Sequence, residues 1–183
     1  MKKYRITKYA PDNRDAEGRY TTNEWTDISD IGRAFEGMIL DSDEYLKVEQ
    51  KYLFAIYLIA VESGAGLFKI KDLERPTMSR RKTRRHCRKH YGIELTGTEL
   101  DIISICEGNI VDLQKAILIS RMILRNYIWC NLESVSPDAE MEISFGWDYY
   151  MYITTAHISC KTIRLLEKAG IYVEEMIWSH VVI

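Results

Sequence analysis

Between Asp41 and Gly64 the chain carries its strongest folding instruction. Asp41 or Ser42 can cap a helix, and Glu44 follows Asp41 at capping-box distance. Leu46, Glu49, Leu53, Ile56, Tyr57 and Ala60 then recur at helical spacing, with Glu49 the polar exception on that stripe. From Leu53 to Val61 nine residues run apolar on nearly every side. That is half of the roughly 20 residues a membrane span needs, so the segment predicts a central buried helix and no membrane partner. Ser63-Gly64 ends it with a glycine suited to a left-handed cap.

Around this helix the chain alternates. Residues 3–9 (KYRITKY), 67–73 (LFKIKDL), 127–133 (YIWCNLE), 140–145 (EMEISF), 149–154 (YYMYIT) and 171–177 (IYVEEMI) read as strands. Residues 93–96 and 100–106 are shorter strand candidates. Residues 110–126 and 159–169 read as two further helices, and one helical turn is expected between Ser29 and Phe35. Residues 10–27 form a long loop rich in turn formers. Tyr149, Met151 and Ile153 share one face of their strand, and Tyr150 and Tyr152 the other. The sum predicts one α+β domain over residues 1–183, a mostly antiparallel sheet with about three main helices. A length of 183 residues with 46% hydrophobic and 28% charged content suits such a globular unit.

The formal net charge of −2 conceals a segregation. Residues 75–90 hold eight basic residues and no acidic one, while residues 10–74 and 91–183 are each net −7. Residues 75–92 are therefore expected to be a basic loop or insert between ordered halves. If helical, its positions 80/84/88 and 81/85/89 would form adjacent basic stripes. Arg80, Arg81, Arg84, Arg85, Arg88 and Lys89 could then lie along phosphates, with Tyr91 to stack on a base, giving nucleic acid as one candidate partner through residues 79–91. The acidic remainder of this chain, or of a second copy in a homodimer, is another. An excess of carboxylates elsewhere repels phosphate and weighs against a dedicated nucleic-acid binder.

No catalytic signature emerges. The chain has no GxSxG, no HExxH and no catalytic-cysteine motif, so no enzyme activity, catalytic residue or cofactor is expected, and an unrecognised enzyme is the second alternative after a nucleic-acid binder. His86 and His90 stand four apart beside Cys87, but zinc needs about four ligands and seven cations surround the pair, so no metal site is expected. The four cysteines are scattered, which reads as reduced thiols in a cytoplasmic protein, and Cys130 and Cys160 sit in apolar patterns as buried structural thiols. The basic N-terminus has no apolar stretch behind it, unlike a secretory signal.

What remains is a mixture of aromatic and acidic residues. Glu24, Trp25, Asp27 and Asp30 lie in the first long loop; Trp147, Asp148, Tyr150 and Tyr152 lie on the 140–153 hairpin. Tryptophan and tyrosine anchor interfaces, and neighbouring carboxylates steer a basic partner, so these eight residues are the candidate partner-binding set. The opening YRITKY-x-P-x-x-R-D-x-x-G-R-Y-x-x-x-E-W-T-x-I-S-D-I-G (Tyr4–Gly32), together with ILRNYIWCNLE (Ile123–Glu133) and FGWDYYMYI (145–153), resembles small bacterial proteins of the immunity type, over about half the chain. The basic stretch at 79–90 departs from that pattern. The resemblance implies a cognate toxin as partner, bound and occluded without catalysis, and the acid excess suits a basic toxin such as a nuclease.

Overall fold

The computed structural model describes residues 1–17, 19–75, 78–136 and 138–176. Among them are nine strands: β1 (Lys2–Thr7), β2 (Ala34–Phe35), β3 (Met38–Ile39), β4 (Leu67–Glu74), β5 (Ile110–Asp112), β6 (Trp129–Ser134), β7 (Met141–Phe145), β8 (Met151–Thr155) and β9 (Tyr172–Glu175). Seven of them form one sheet in the order β5-β4-β6-β7-β8-β1-β9, and β2 and β3 form a separate hairpin. Every described strand pairing is antiparallel. Side-chain alternation gives the large sheet two unlike faces. On one, a row of partners runs Ile70, Leu132, Ile143, Ile153 and Tyr4 across five strands, all buried. On the other stand Lys3, Arg5, Asn131, Glu133, Glu142, Ser144 and Tyr152, each only partly covered. A sheet apolar on one face is completed by a layer of helices on that face.

The helices are α1 (Ser42–Ser63), α2 (Arg80–Tyr91), α3 (Gly97–Asp101), α4 (Leu113–Leu124) and α5 (Cys160–Lys168). Helix α1 starts and stops where its sequence demands. The Asp41 carboxylate accepts from the Glu44 N–H at 2.8 Å, and Gly64 closes the last turn at φ 77°. It packs against α4 and β1, with Tyr45, Tyr52, Ile56 and Ile59 fully enclosed. Its second half is not covered all round: Phe54, Tyr57 and Val61 form an exposed stripe.

Glu49, the polar exception, faces inward. Its carboxylate takes a two-pronged grip from Arg125 just past α4, at 2.5 Å from Nε and 2.7 Å from the terminal nitrogen. Arg125 also donates to Glu99 of α3 at 3.1 Å, and Arg121 reaches Glu99 at 3.2 Å and Glu49 at 3.4 Å. Two carboxylates and two guanidiniums thus neutralise one another where α1, α3 and α4 meet. Burial pushes the Glu49 carboxyl up against the pull of both arginines. Burial also opposes ionisation of Glu99, but the Thr96 backbone N–H and the two arginines outweigh it and hold its carboxyl below the ordinary range. Buried charges are tolerated only when paired and hydrogen-bonded in this way.

Several local expectations are corrected. Within the basic stretch expected as a loop or insert, Arg80–Tyr91 form α2, because Thr83 and Cys87, one turn apart, both fit into the core, and Gly92 supplies a left-handed cap. The strand candidates at 93–96 and 100–106 are instead a loop, α3 and a 3-10 turn at Ile102–Ser104. Thr96 and Glu99 cap each other reciprocally there, which starts a helix. Short apolar runs do not separate helix from strand by period alone. With α2 and α3 there are five helices among the described residues rather than about three. Between Ser29 and Phe35 only a 3-10 turn (Ile28–Asp30) forms before the β2–β3 hairpin, whose turn places both Glu36 and Gly37 at positive φ. Residues 110–112 pair with β4 as a strand, and Asp112 then caps α4. Cys87 and Cys130 are buried, Cys106 and Cys160 are exposed, and all four are free; burial pushes the Cys130 thiol up to about 12. Cys160 opens α5 on its outer side, where the apolar pattern does not bury it. The apolar end at 181–183 and the last expected strand residue, Ile177, lie outside the described residues.

Candidate functional site

The turn from β7 to β8 reverses over Gly146-Trp147-Asp148-Tyr149. Gly146 donates to the Tyr150 carbonyl at 2.8 Å, and Asp148 and Tyr149 both take left-handed backbone, φ 57° and 62°. Aspartate accepts that conformation readily; a tyrosine does so only when its surroundings enforce it. They do. Tyr149 is buried among Trp25, Tyr45 and Tyr52, its ring within 6 Å of each of theirs. The Tyr52 hydroxyl accepts from the Lys8 N–H and donates to the Tyr149 carbonyl, both at 2.8 Å. The Tyr9 hydroxyl donates to the Asp148 carbonyl at 2.8 Å. Two tyrosines thus clamp the turn from beneath.

The clamp fixes Trp147 outward. Its indole is 86% exposed, yet it stacks on Trp129 at 6.1 Å between centroids. Beside this pair opens a cleft of about 510 Å³, between the start of β6, the β7–β8 turn and the end of α4. Its walls include Ile123, Ile128, Phe145 and Tyr149; Asp27, Glu74, Arg75, Asn126 and Asp148 also line it. Arg75 donates to the Ile105 carbonyl, and Asn126 to Asp27. A concave apolar wall with a few polar groups is the ordinary form of a recognition site.

The eight candidate contact residues separate. Trp147, Asp148, Tyr150 and Asp27 meet at the cleft. Trp25 does not reach the surface: it is 8% exposed and supports Tyr149 and Tyr45 from inside. Asp30 is likewise buried, accepting from the Thr26 and Asp27 N–H groups and pairing with Arg33. Glu24 is held by Lys8 at 2.7 Å and by the Tyr20 hydroxyl. Tyr152 lies on the open sheet face with Lys3 above its ring, and Arg5 stands over Tyr150. Trp129, Glu74 and Asn126 were not among the candidates. Trp129 was legible in principle: in YIWCNLE it falls in phase with Asn131 and Glu133, the polar side of its strand, and it is only partly buried at the edge of the core.

Helix α2 is anchored as well as ordered. Beyond Thr83 and Cys87, the His86 Nδ1 lies 3.0 Å from the Tyr127 hydroxyl, Ser42 bonds the Tyr91 carbonyl, and Arg80 pairs with Asp101 at 2.6 Å. Arg81, Arg84, Arg85, Arg88 and Lys89 point outward and exposed. The His86 and His90 rings lie 4.6 Å apart, but no group of three or more His, Cys, Asp or Glu side chains that could hold a metal occurs among the described residues. Burial and the neighbouring His90 hold the His86 pKa below the ordinary histidine value. Protonation is therefore easier in the unfolded chain. Stability contributed by neutral His86 is complete above about pH 6.5 and is lost as pH falls from there through the lower folded pKa. Urea midpoints at pH 7.5 and 5.5 should differ less in His86→Gln than in the wild type.

Among the described residues no helix is long and apolar enough to cross a membrane. Comparison with protein-family models, with curated proteins and with solved structures finds no match.

Proposed function

We propose that the protein is a cytosolic, non-catalytic binding protein of the immunity type, which docks on a basic bacterial toxin and occludes it. The observation that carries this reading is Trp147: a large indole, 86% exposed, held outward on a clamped turn beside an apolar cleft. Exposed tryptophan next to a pocket is the usual anchor of a protein interface. Glu74 and Asp148 line the cleft beside Arg75, and Asp27, whose carboxylate is already held by Asn126 and the Ser29 N–H, adds a third negative charge to the wall. An arginine or lysine of the partner would find carboxylates there and the faces of two indoles. Toxins that act on nucleic acid hold such cations in their phosphate-binding clefts, and covering them blocks substrate. The turn is held by hydrogen bonds from Tyr9 and Tyr52 before any partner arrives, which lowers the ordering entropy that opposes docking.

Coexpression with the product of the adjacent gene tests the proposal. A stable complex that abolishes the toxicity of that product is expected. A toxic neighbour that neither co-purifies with the protein nor is neutralised by it would overturn the reading.

A further inference from the structure

The outer face of α2 plays no part in the cleft. At 3.6 residues per turn, Arg81, Lys82, Arg85, Arg88 and Lys89 occupy an arc of about 120° opposite the buried Thr83 and Cys87, and Arg84 flanks it. All six are exposed, and none has an ion-pair partner among the described residues. The two long flanking stretches, residues 10–74 and 91–183, are each net −7, yet among the described residues only Arg80, at the edge of α2, has been given a carboxylate. Six neighbouring cations repel one another and are left unneutralised on a helix that the core holds in place through its opposite side.

We infer that the outer face of α2 is a second binding surface, one that takes the phosphate backbone of a nucleic acid. Three observations select that partner. First, the arc carries no apolar or aromatic residue, so it lacks the anchor a protein interface needs and the apolar face a membrane-surface helix needs. Second, four of the six cations are arginines, whose planar donors match phosphate oxygens two at a time. Third, the arc spans about 12 Å from residue 81 to residue 89, over which duplex DNA presents about seven charges, close to the number of cations available. The acidic body repels phosphates beyond that length, so contact is confined to the helix and reads backbone rather than base sequence. This surface stands whether or not the cleft receives a toxin.

Fluorescence anisotropy with a labelled 20-base-pair DNA duplex and a single-stranded RNA 20-mer tests it. Binding at 50 mM salt is expected to at least one of them. If all six cations engage, log K should fall against log salt with a slope of about −5 for duplex or −4 for single strand, a loss of several hundred- to a thousandfold by 200 mM. Arg81→Ala/Arg85→Ala/Arg88→Ala should halve the slope, with unchanged circular dichroism since all three side chains are exposed. Lys161→Ala/Lys168→Ala on α5 should leave binding as it was. Absence of binding to both probes at 50 mM salt, an unchanged slope in the triple variant, or displacement by polyglutamate at equal charge concentration would each overturn the inference.

Discussion

Arg125→Ala is expected to destabilise the fold by about 3–5 kcal/mol, the usual consequence of leaving a buried charge without its partner. Glu49 is 0% exposed and would keep only the 3.4 Å contact to Arg121. Glu99 would lose one of its two arginines. Urea unfolding followed by circular dichroism measures the effect as a lower midpoint with an unchanged slope. Glu49→Met/Arg125→Met should recover most of the loss, because apolar side chains of similar volume replace a buried pair at little or no penalty. A single variant as stable as the wild type would mean that water reaches Glu49. The network ties together three helices that share few other polar contacts, so the loss should appear as global unfolding and not as local fraying.

Trp147→Ala is expected to act on the complex and not on the fold. An 86% exposed side chain contributes little to stability, about 0.5 kcal/mol or less. As the proposed anchor of the interface it should contribute about 2–4 kcal/mol to binding, roughly 30- to 1000-fold in Kd. The loss should appear mainly in the dissociation rate. Asp148→Lys, at the rim, should instead slow association and reduce its salt dependence. Tyr9→Phe removes the hydroxyl that holds the Asp148 carbonyl without touching any exposed surface. It should weaken binding by a smaller factor than Trp147→Ala, by loosening the turn that presents the indole.

The sheet and the long helix were written plainly in the chain. Alternation at 3–9, 67–73, 140–145 and 149–154 gave strands because each has one face on the core, and Asp41 and Gly64 marked the ends of α1 through capping chemistry that acts locally. Helix α2 was hidden because its inward signal is two small residues, Thr83 and Cys87, within a run of cations that reads as solvated. The α3 region was hidden because Leu100, Ile102, Ile103 and Ile105 fit either period, and Thr96 with Glu99 decided between them. The site was half legible. Trp147 and Asp148 stood out as an aromatic and an acid in a turn. Trp25 and Asp30 looked alike in sequence, but tertiary contacts take them inside: one is a platform for Tyr149, the other spends its carboxylate on backbone N–H groups and Arg33. Composition cannot distinguish a carboxylate that waits for a partner from one already engaged. Similarly, the role of Glu49 depended on Arg125, 76 residues away, and no local pattern connects them.

Hydrogen exchange on the protein with and without the product of the adjacent gene tests the proposed binding surface most directly. Protection is expected at residues 145–150 and 126–129, the two sides of the cleft, with α2 exchanging as in the free protein. Unchanged exchange at both segments within a formed complex, or protection confined to 80–91, would contradict the assignment of the partner to the Trp147 cleft.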